Sequence, residues 1–236
     1  MNSWFPSESI RVLLLAGGSG TRMGGSRPKQ FLELQGKPIL LHSLLSFLEW
    51  GLTKEIIIVT HPDHMEETEK ICSPYLRERD RIVEGGPTRH ESTLRGLDSI
   101  QIGSNDLIYI HDAARPFVHS EDLNHLGMET ERSGLATLAT RNHETVLQKE
   151  DNKNQFLDRE RIWFMKTPQA IRGDLLKKLP RTPGSFEITD LCTWGQHAGL
   201  NFALVESHPY NLKITRPEDL PLAEAILPLY QELISS

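Results

Sequence analysis

The stretch Leu13-Leu14-Leu15-Ala16-Gly17-Gly18-Ser19-Gly20-Thr21-Arg22-Met23 is an apolar run that opens into a loop with three glycines and then an arginine. Glycines let backbone N–H groups approach phosphate oxygens with no side chain in the way, and successive N–H groups form an anion-binding nest. A second cation follows in Pro28-Lys29-Gln30. An arginine and a lysine close behind such a loop can gather around a triphosphate and the charge that develops as it is cleaved. Two familiar phosphate loops do not fit. The loop does not end in Gly-Lys-Ser/Thr, and a Gly-x-Gly-x-x-Gly pattern counted from Gly18 would need glycine where Met23 stands.

Two further constellations carry residues of the same chemistry. In Val83-Glu84-Gly85-Gly86-Pro87-Thr88-Arg89-His90-Glu91-Ser92, a Gly-Gly turn at a strand end exposes backbone groups to a planar base, and Ser92 can hydrogen-bond ribose or base. The same residues are also those of a plain strand-to-helix turn, with Thr88 and Glu91 at capping-box spacing. In Ile108-Tyr109-Ile110-His111-Asp112-Ala113-Ala114-Arg115-Pro116, a buried strand ends in a carboxylate, a natural Mg²⁺ position beside substrate phosphates. Arg115 either binds a substrate phosphate or pairs with a carboxylate and positions its loop. His111 reads as structural, because no zinc-ligand spacing surrounds it. No Gly-x-Ser-x-Gly elbow of a serine hydrolase is present. Leu157-Asp158-Arg159, Lys166-Thr167-Pro168-Gln169 and Asn211–Pro217 complete the candidates, with Lys213 read as lying in a short apolar strand.

These residues need a frame to hold them. Arg11–Ala16, Glu55–Thr60, Asp106–His111 and Asn201–Val205 read as strands buried on both faces. Pro38–Trp50, Asp63–Arg79, Thr88–Ile100 and Ser120–Arg132 read as helices between them, and Pro217–Leu229 as a closing helix, with Pro38 suited to a first helical position. Alternation of this kind predicts an α/β fold with a mostly parallel sheet and helices on both faces. Ligands bind beyond the carboxyl ends of such strands, which places the function at Gly17–Lys29, Gly85–Ser92 and His111–Pro116. Thr140–Phe164 breaks the rhythm: it is polar and charged, fits no βαβ unit, and predicts a protruding β-arm, with a solvated surface loop as the alternative, on an otherwise single domain spanning residues 1–236.

Composition narrows the class. The 236 residues are 38% hydrophobic and 25% charged, as in globular proteins. A net charge of −6 argues against a nucleic-acid coat. Two cysteines, Cys72 and Cys192, exclude a disulfide framework and suit a reducing compartment. The first apolar run is too short for a signal segment or a membrane span, so the expected location is cytoplasmic, with no membrane partner.

Taken in order, Ala16–Met23, Pro28–Phe31, Gly85–Ser92, His111–Pro116, Asp158-Arg159, Thr167-Pro168-Gln169, Thr189-Asp190 and Asn211–Leu220 resemble the 2-C-methyl-D-erythritol 4-phosphate cytidylyltransferases of non-mevalonate isoprenoid biosynthesis. The matching segments cover almost the whole chain. The resemblance implies a Rossmann-like fold and a homodimer joined through the β-arm. It implies Mg²⁺-assisted transfer of CMP from CTP to methylerythritol phosphate, with pyrophosphate released and with Arg22 and Lys29 catalytic. CTP would be held by Ala16, Gly17, Gly18, Gly20, Gly85, Gly86, Ser92, Asp112 and Ala113, with Asp112 the metal ligand. The sugar phosphate would be held by Asp112, Arg115, Thr145, Arg159, Thr167 and Lys213, some of them from the partner subunit. Thr21 stands where a second basic residue is common, Pro87 where a polar residue is frequent, and Leu191 where an acidic one is usual. The glycine loop and Glu-Gly-Gly turn also resemble the ribitol-5-phosphate cytidylyltransferases. A nucleotide-binding regulatory domain without chemistry is a third reading, one that would need neither Lys29 nor Lys213.

Overall fold

The computed structural model describes residues 9–18, 27–150, 153–182, 184 and 186–235. Strand β1 (Ile10–Ala16) runs through the interior of the main sheet, since its Ile, Val and Leu side chains are buried on both faces. Two short strands, β2 (Glu33–Leu34) and β3 (Lys37–Pro38), pair as a small hairpin that leads into α1 (Ile39–Trp50). Pro38 caps this helix rather than occupying its first turn. Then come β4 (Glu55–Thr60), α2 (Met65–Cys72), β5 (Arg81–Glu84), α3 (Arg89–Asp98) and β6 (Leu107–Asp112). The long helix expected over Asp63–Arg79 is shorter, with separate 3-10 turns at Pro62–His64 and Ser73–Tyr75 on either side of α2. Pro74 explains the second boundary, because a ring in the helix interior removes a hydrogen bond and clashes with the preceding turn.

The second half supplies α4 (Ser120–Ser133), β7 (Leu135–Arg141), β8 (Val146–Lys149), β9 (Asn154–Leu157), β10 (Trp163–Arg172), α5 (Gly173–Leu176), α6 (Leu191–His197), β11 (Ala203–Glu206) and α7 (Asp219–Ser235). The seven-stranded sheet runs β11-β7-β10-β6-β1-β4-β5. Its pairs are parallel except those of β10, which is antiparallel to both β6 and β7. The sequence pattern does not show β7 or β10, because neither is a run of large aliphatics. β10 also contains Pro168, which has no N–H for the ladder; the β7 register shifts between Met165 and Gln169, and the Thr167–Pro168 peptide is cis. The sixth strand ends at Asp112, one residue later than its pattern suggests. No strand forms around Lys213, whose segment lies in neither helix nor sheet.

The alternation of side chains along β1 sorts the core. Val12 and Leu14 pack with α1, α2 and α4 on one face, and Leu13 packs with α3 and α6 on the other. Each fully buried aliphatic of this kind contributes roughly 1.5–3 kcal/mol. Gly96 brings α3 close to the sheet: a Cβ there would lie 2.8 Å from Val59 and 2.9 Å from Leu13. Leu34, Ile39, Phe117 and Ile214 make a third cluster under α7. The expected arm is a hairpin in which Val146 pairs with Leu157 and Lys149 with Asn154. Its expected ends lie in the main sheet, where Thr140 pairs with Phe164. Among the described residues no helix is long and apolar enough to cross a membrane.

Candidate active site

A cavity of about 360 Å³ opens beyond the carboxyl ends of β1, β4, β5 and β6, as expected for an open α/β sheet. Ala16, Gly17 and Gly18 line it from β1, Gly86 and Ser92 from the turn and helix after β5, and Asp112 and Ala113 from β6. Lys29, on a 3-10 turn, and Lys213, from the segment before α7, both line the same space. Gln30 fixes the glycine loop from behind: its buried amide donates to the carbonyls of Ala16 at 2.8 Å and Gly18 at 3.2 Å. Gly20 and Arg22 lie outside the described residues, as does Thr21.

The turn after β5 is built for close approach. A Cβ on Gly86 would sit 2.5 Å from the Cβ of Glu91. The Ser92 hydroxyl accepts from the Gly86 N–H and donates to its carbonyl, both at 3.1 Å. Gly85 stands just behind the wall, with its N–H on the Thr60 carbonyl and its own carbonyl accepting from Arg95. Thr88 and Glu91 form the expected capping box, which fixes where α3 begins. The first residue of that helix is Arg89, and its guanidinium turns into the cavity. Sequence reasoning gave Arg89 no role. The signal was its position three residues before Ser92, which puts both on one face of the helix.

Charge is concentrated at Asp112. One carboxylate oxygen accepts from Arg89 at 3.0 Å and the other from Lys213 Nζ at 2.6 Å. Burial pushes the carboxyl pKa up, but Arg89, Lys213 and Arg115 outweigh it and hold the group well below the usual carboxylate range. Asp112 is therefore ionised at any physiological pH. Among the described residues it is the carboxylate lining the cavity, and no cluster of three or more His, Cys, Asp or Glu gathers to enclose a metal.

Behind Asp112 a proton chain sets the geometry. Burial pushes the pKa of His111 down to about 4, so the ring is neutral. Its Nε2–H donates to the Arg115 carbonyl at 3.0 Å, so Nδ1 must accept. The donor to Nδ1 is the Thr167 hydroxyl at 3.1 Å, whose oxygen in turn accepts the Asp112 backbone N–H at 3.1 Å. His111 is thus a neutral spacer, as its surroundings in the sequence suggested. Arg115, 7% exposed, sends Nη1 to the Asn211 carbonyl at 3.2 Å, and its charge favours ionised Asp112. Lys166, half-buried, has its pKa lowered by burial and by the charge of Arg115.

Arg115 and Thr167 are buried behind Asp112 and do not line the cavity, and two more predicted residues stand farther apart. Thr145, just before the arm strand β8, and Arg159, in the 3-10 turn after β9, are exposed and do not line the cavity of their own chain. Arg159 pairs with its neighbour Glu160 at 3.4 Å. Asp190 caps α6 and accepts from Gln169 at 3.1 Å, and Leu191 is buried in the core, which accounts for an apolar residue at that position.

A sequence model of the 2-C-methyl-D-erythritol 4-phosphate cytidylyltransferase family matches residues 10–228. The enzyme of that name from Leptospira borgpetersenii serovar Hardjo-bovis is 54% identical over 99% of this chain and 100% of its own. The one from Leptospira interrogans is 51% identical over 100% of this chain and 99% of its own. The crystal structure of 4-diphosphocytidyl-2C-methyl-D-erythritol synthase from Anaerococcus prevotii superposes with a TM-score of 0.80 at 26% identity, covering 94% of this chain and 100% of that one.

Proposed function

The chain belongs to the 2-C-methyl-D-erythritol 4-phosphate cytidylyltransferase family, and from that membership and the cavity's chemistry we propose that it transfers CMP from CTP to 2-C-methyl-D-erythritol 4-phosphate. The products are 4-diphosphocytidyl-2-C-methyl-D-erythritol and pyrophosphate. The observation that carries this reading is the meeting of a glycine loop, Lys29, Lys213 and an ionised Asp112 in one cavity at the carboxyl edge of the sheet.

A phosphate oxygen of the sugar phosphate attacks the α-phosphorus of CTP. The new P–O bond forms as the bond to the β-phosphate bridging oxygen breaks, and pyrophosphate leaves in line. The attacking oxygen is already anionic, so no general base is needed. Repulsion between anions is the barrier, and preorganised cations and N–H dipoles lower it. Lys29 and Arg22 take the triphosphate, with the N–H groups of Gly17, Gly18 and Gly20. Gly85, Gly86 and Ser92 form the base end, while Asp112 and Ala113 adjoin the ribose. Lys213, Arg115 and Thr167 receive the sugar phosphate.

Asp112 fits a magnesium ion as one anionic oxygen donor, since this ion takes its remaining positions from substrate phosphates and water. It would hold the ion there, and the ion would offset phosphate charge. Thr145 and Arg159, exposed on the arm of their own chain, would complete the site of a second copy in a homodimer. The two buried cysteines suit a cytoplasmic setting.

Pyrophosphate release with CTP and candidate sugar phosphates tests the reading. A site built to pair with particular hydroxyls rejects poor matches, so methylerythritol 4-phosphate should exceed ribitol 5-phosphate by at least ~10²-fold in kcat/KM. A preference for ribitol 5-phosphate would overturn the substrate assignment.

A further inference from the structure

The mechanism above makes no use of Asn211, a fully buried polar side chain that touches several parts of the sugar-phosphate end of the site. Its Nδ2 donates to the Thr167 carbonyl at 3.0 Å and to the Ser207 hydroxyl at 3.2 Å. Its backbone carbonyl accepts Arg115 Nη1 at 3.2 Å, and its backbone N–H donates to the His208 carbonyl at 3.2 Å. Three residues on, the Ile214 N–H donates to the Ala114 carbonyl at 2.9 Å, and the Ile214 side chain is buried in the cluster under α7. Lys213 is therefore carried on a short segment fixed at both ends, outside any strand or helix. One end is held by Asn211 and the other by Ile214.

We infer that Asn211 is a positioning residue for the sugar phosphate, joining the Thr167, Arg115 and Lys213 segments so that their donors converge. The inference rests on the cytidylyl-transfer reading and deepens it. Asn211 does not line the cavity, so it acts through the groups it holds. The physical need is plain. β10 gives up ladder pairing around Pro168, and the Lys213 segment has none, so neither is held in register by a sheet at this point. A buried amide bridging them supplies the missing tie, and its loss strands the Thr167 carbonyl without a donor. Small displacements of a reacting group have large effects on rate. The nucleotide end has its own supports in Gln30, Ser92 and the Thr88 capping box, and Asn211 touches none of them.

The experiment compares wild type, Asn211→Ala and Asn211→Asp, with Ser207→Ala as a control that removes one bond to the amide but leaves the Thr167 tie. Steady-state pyrophosphate release gives kcat/KM for methylerythritol 4-phosphate, titration calorimetry gives the Kd for CTP, and a thermal melt gives Tm. Both Asn211 variants should lose roughly tenfold or more in kcat/KM for the sugar phosphate, the scale of stranding a buried hydrogen-bonding group. Their CTP affinity should stay at the wild-type value. Ser207→Ala should lower Tm, because its hydroxyl also donates to the Asp122 carboxylate and the His208 carbonyl, yet keep sugar-phosphate kcat/KM within about twofold, since the Asn211 tie to Thr167 remains. Equal losses toward both substrates, or a lower Tm with unchanged kcat/KM in the Asn211 variants, would overturn the inference. Wild-type turnover in the same assay checks the cytidylyl-transfer reading separately.

Discussion

The nucleotide end of the cavity and the arm are finished to different degrees within one chain. At the nucleotide end, buried or half-buried groups meet tightly: Gln30 on the glycine loop, Ser92 on the Gly86 turn, and Arg89 on Asp112. The arm carries Thr145 and Arg159 in solvent, beside Phe156 at 73% and Phe164 at 51% exposure. An exposed aromatic such as Phe156 on a two-stranded hairpin is unusual for a free surface, because such a hairpin is marginal without packing on at least one face. The contrast teaches that one chain preorganises the cavity around the glycine loop and Asp112 while leaving the arm's polar residues with no cavity of their own to line. On this account a second chain supplies that cavity.

Removing the arm breaks the contrast most severely. Thr140 and Phe164 pair within the main sheet, so the cut belongs inside them. Replacing residues 143–160 by two glycines should leave a folded chain that binds CTP as before. Light scattering should find a monomer, and turnover should fall by more than ~10²-fold, the scale of losing groups that orient a substrate. A dimer with full activity would show the arm to be dispensable.

Lys29→Ala strikes the other end. It should cut turnover by roughly 10²-fold, the scale of removing one transition-state contact. Its Tm should barely move, because Lys29 lies in a short loop turn and not in the apolar core. Wild-type turnover would remove this residue from the mechanism.

The legible parts of the sequence track the same contrast. The glycine loop and Asp112 follow strands rich in buried Val, Ile and Leu, so pattern and site coincide there. β7 and β10 were hidden, because Ala and Thr fill the one and Lys166 and Pro168 interrupt the other. Lys213 looked like a strand residue because its neighbours Leu212 and Ile214 are apolar; they pack under α7 instead. Arg89 and Asn211 were harder to read as site residues for a different reason. Their partners lie 23 and 44 positions away, and only the fold brings them together.

The smallest expected effect sharpens the view of the site's floor. His111 titrates near 4 in the fold and near ~6.5 when unfolded, so the unfolded chain binds the extra proton between those values. Stability contributed by neutral His111 is full above that window and is lost as pH falls through it. The sign follows because stability rises with pH wherever the unfolded state holds more protons. His111→Gln should flatten the stability-versus-pH curve between about pH 6.5 and 4.5 by up to ~1.4 kcal/mol per unit, as read from urea denaturation. An unchanged slope would mean that another group carries the acid sensitivity.

Subunit complementation tests the central claim, a cytidylyl-transfer site assembled from two chains. Lys29→Ala and Arg159→Ala chains are purified separately, each impaired, then unfolded, mixed in equal amounts and refolded. If Arg159 serves the partner's cavity, each mixed dimer holds one site with both residues intact and one with neither. Random pairing makes half the dimers mixed, so pyrophosphate release from CTP and methylerythritol 4-phosphate should rise to about a quarter of wild type. Activity that stays at the mean of the two parents would contradict a site shared between chains.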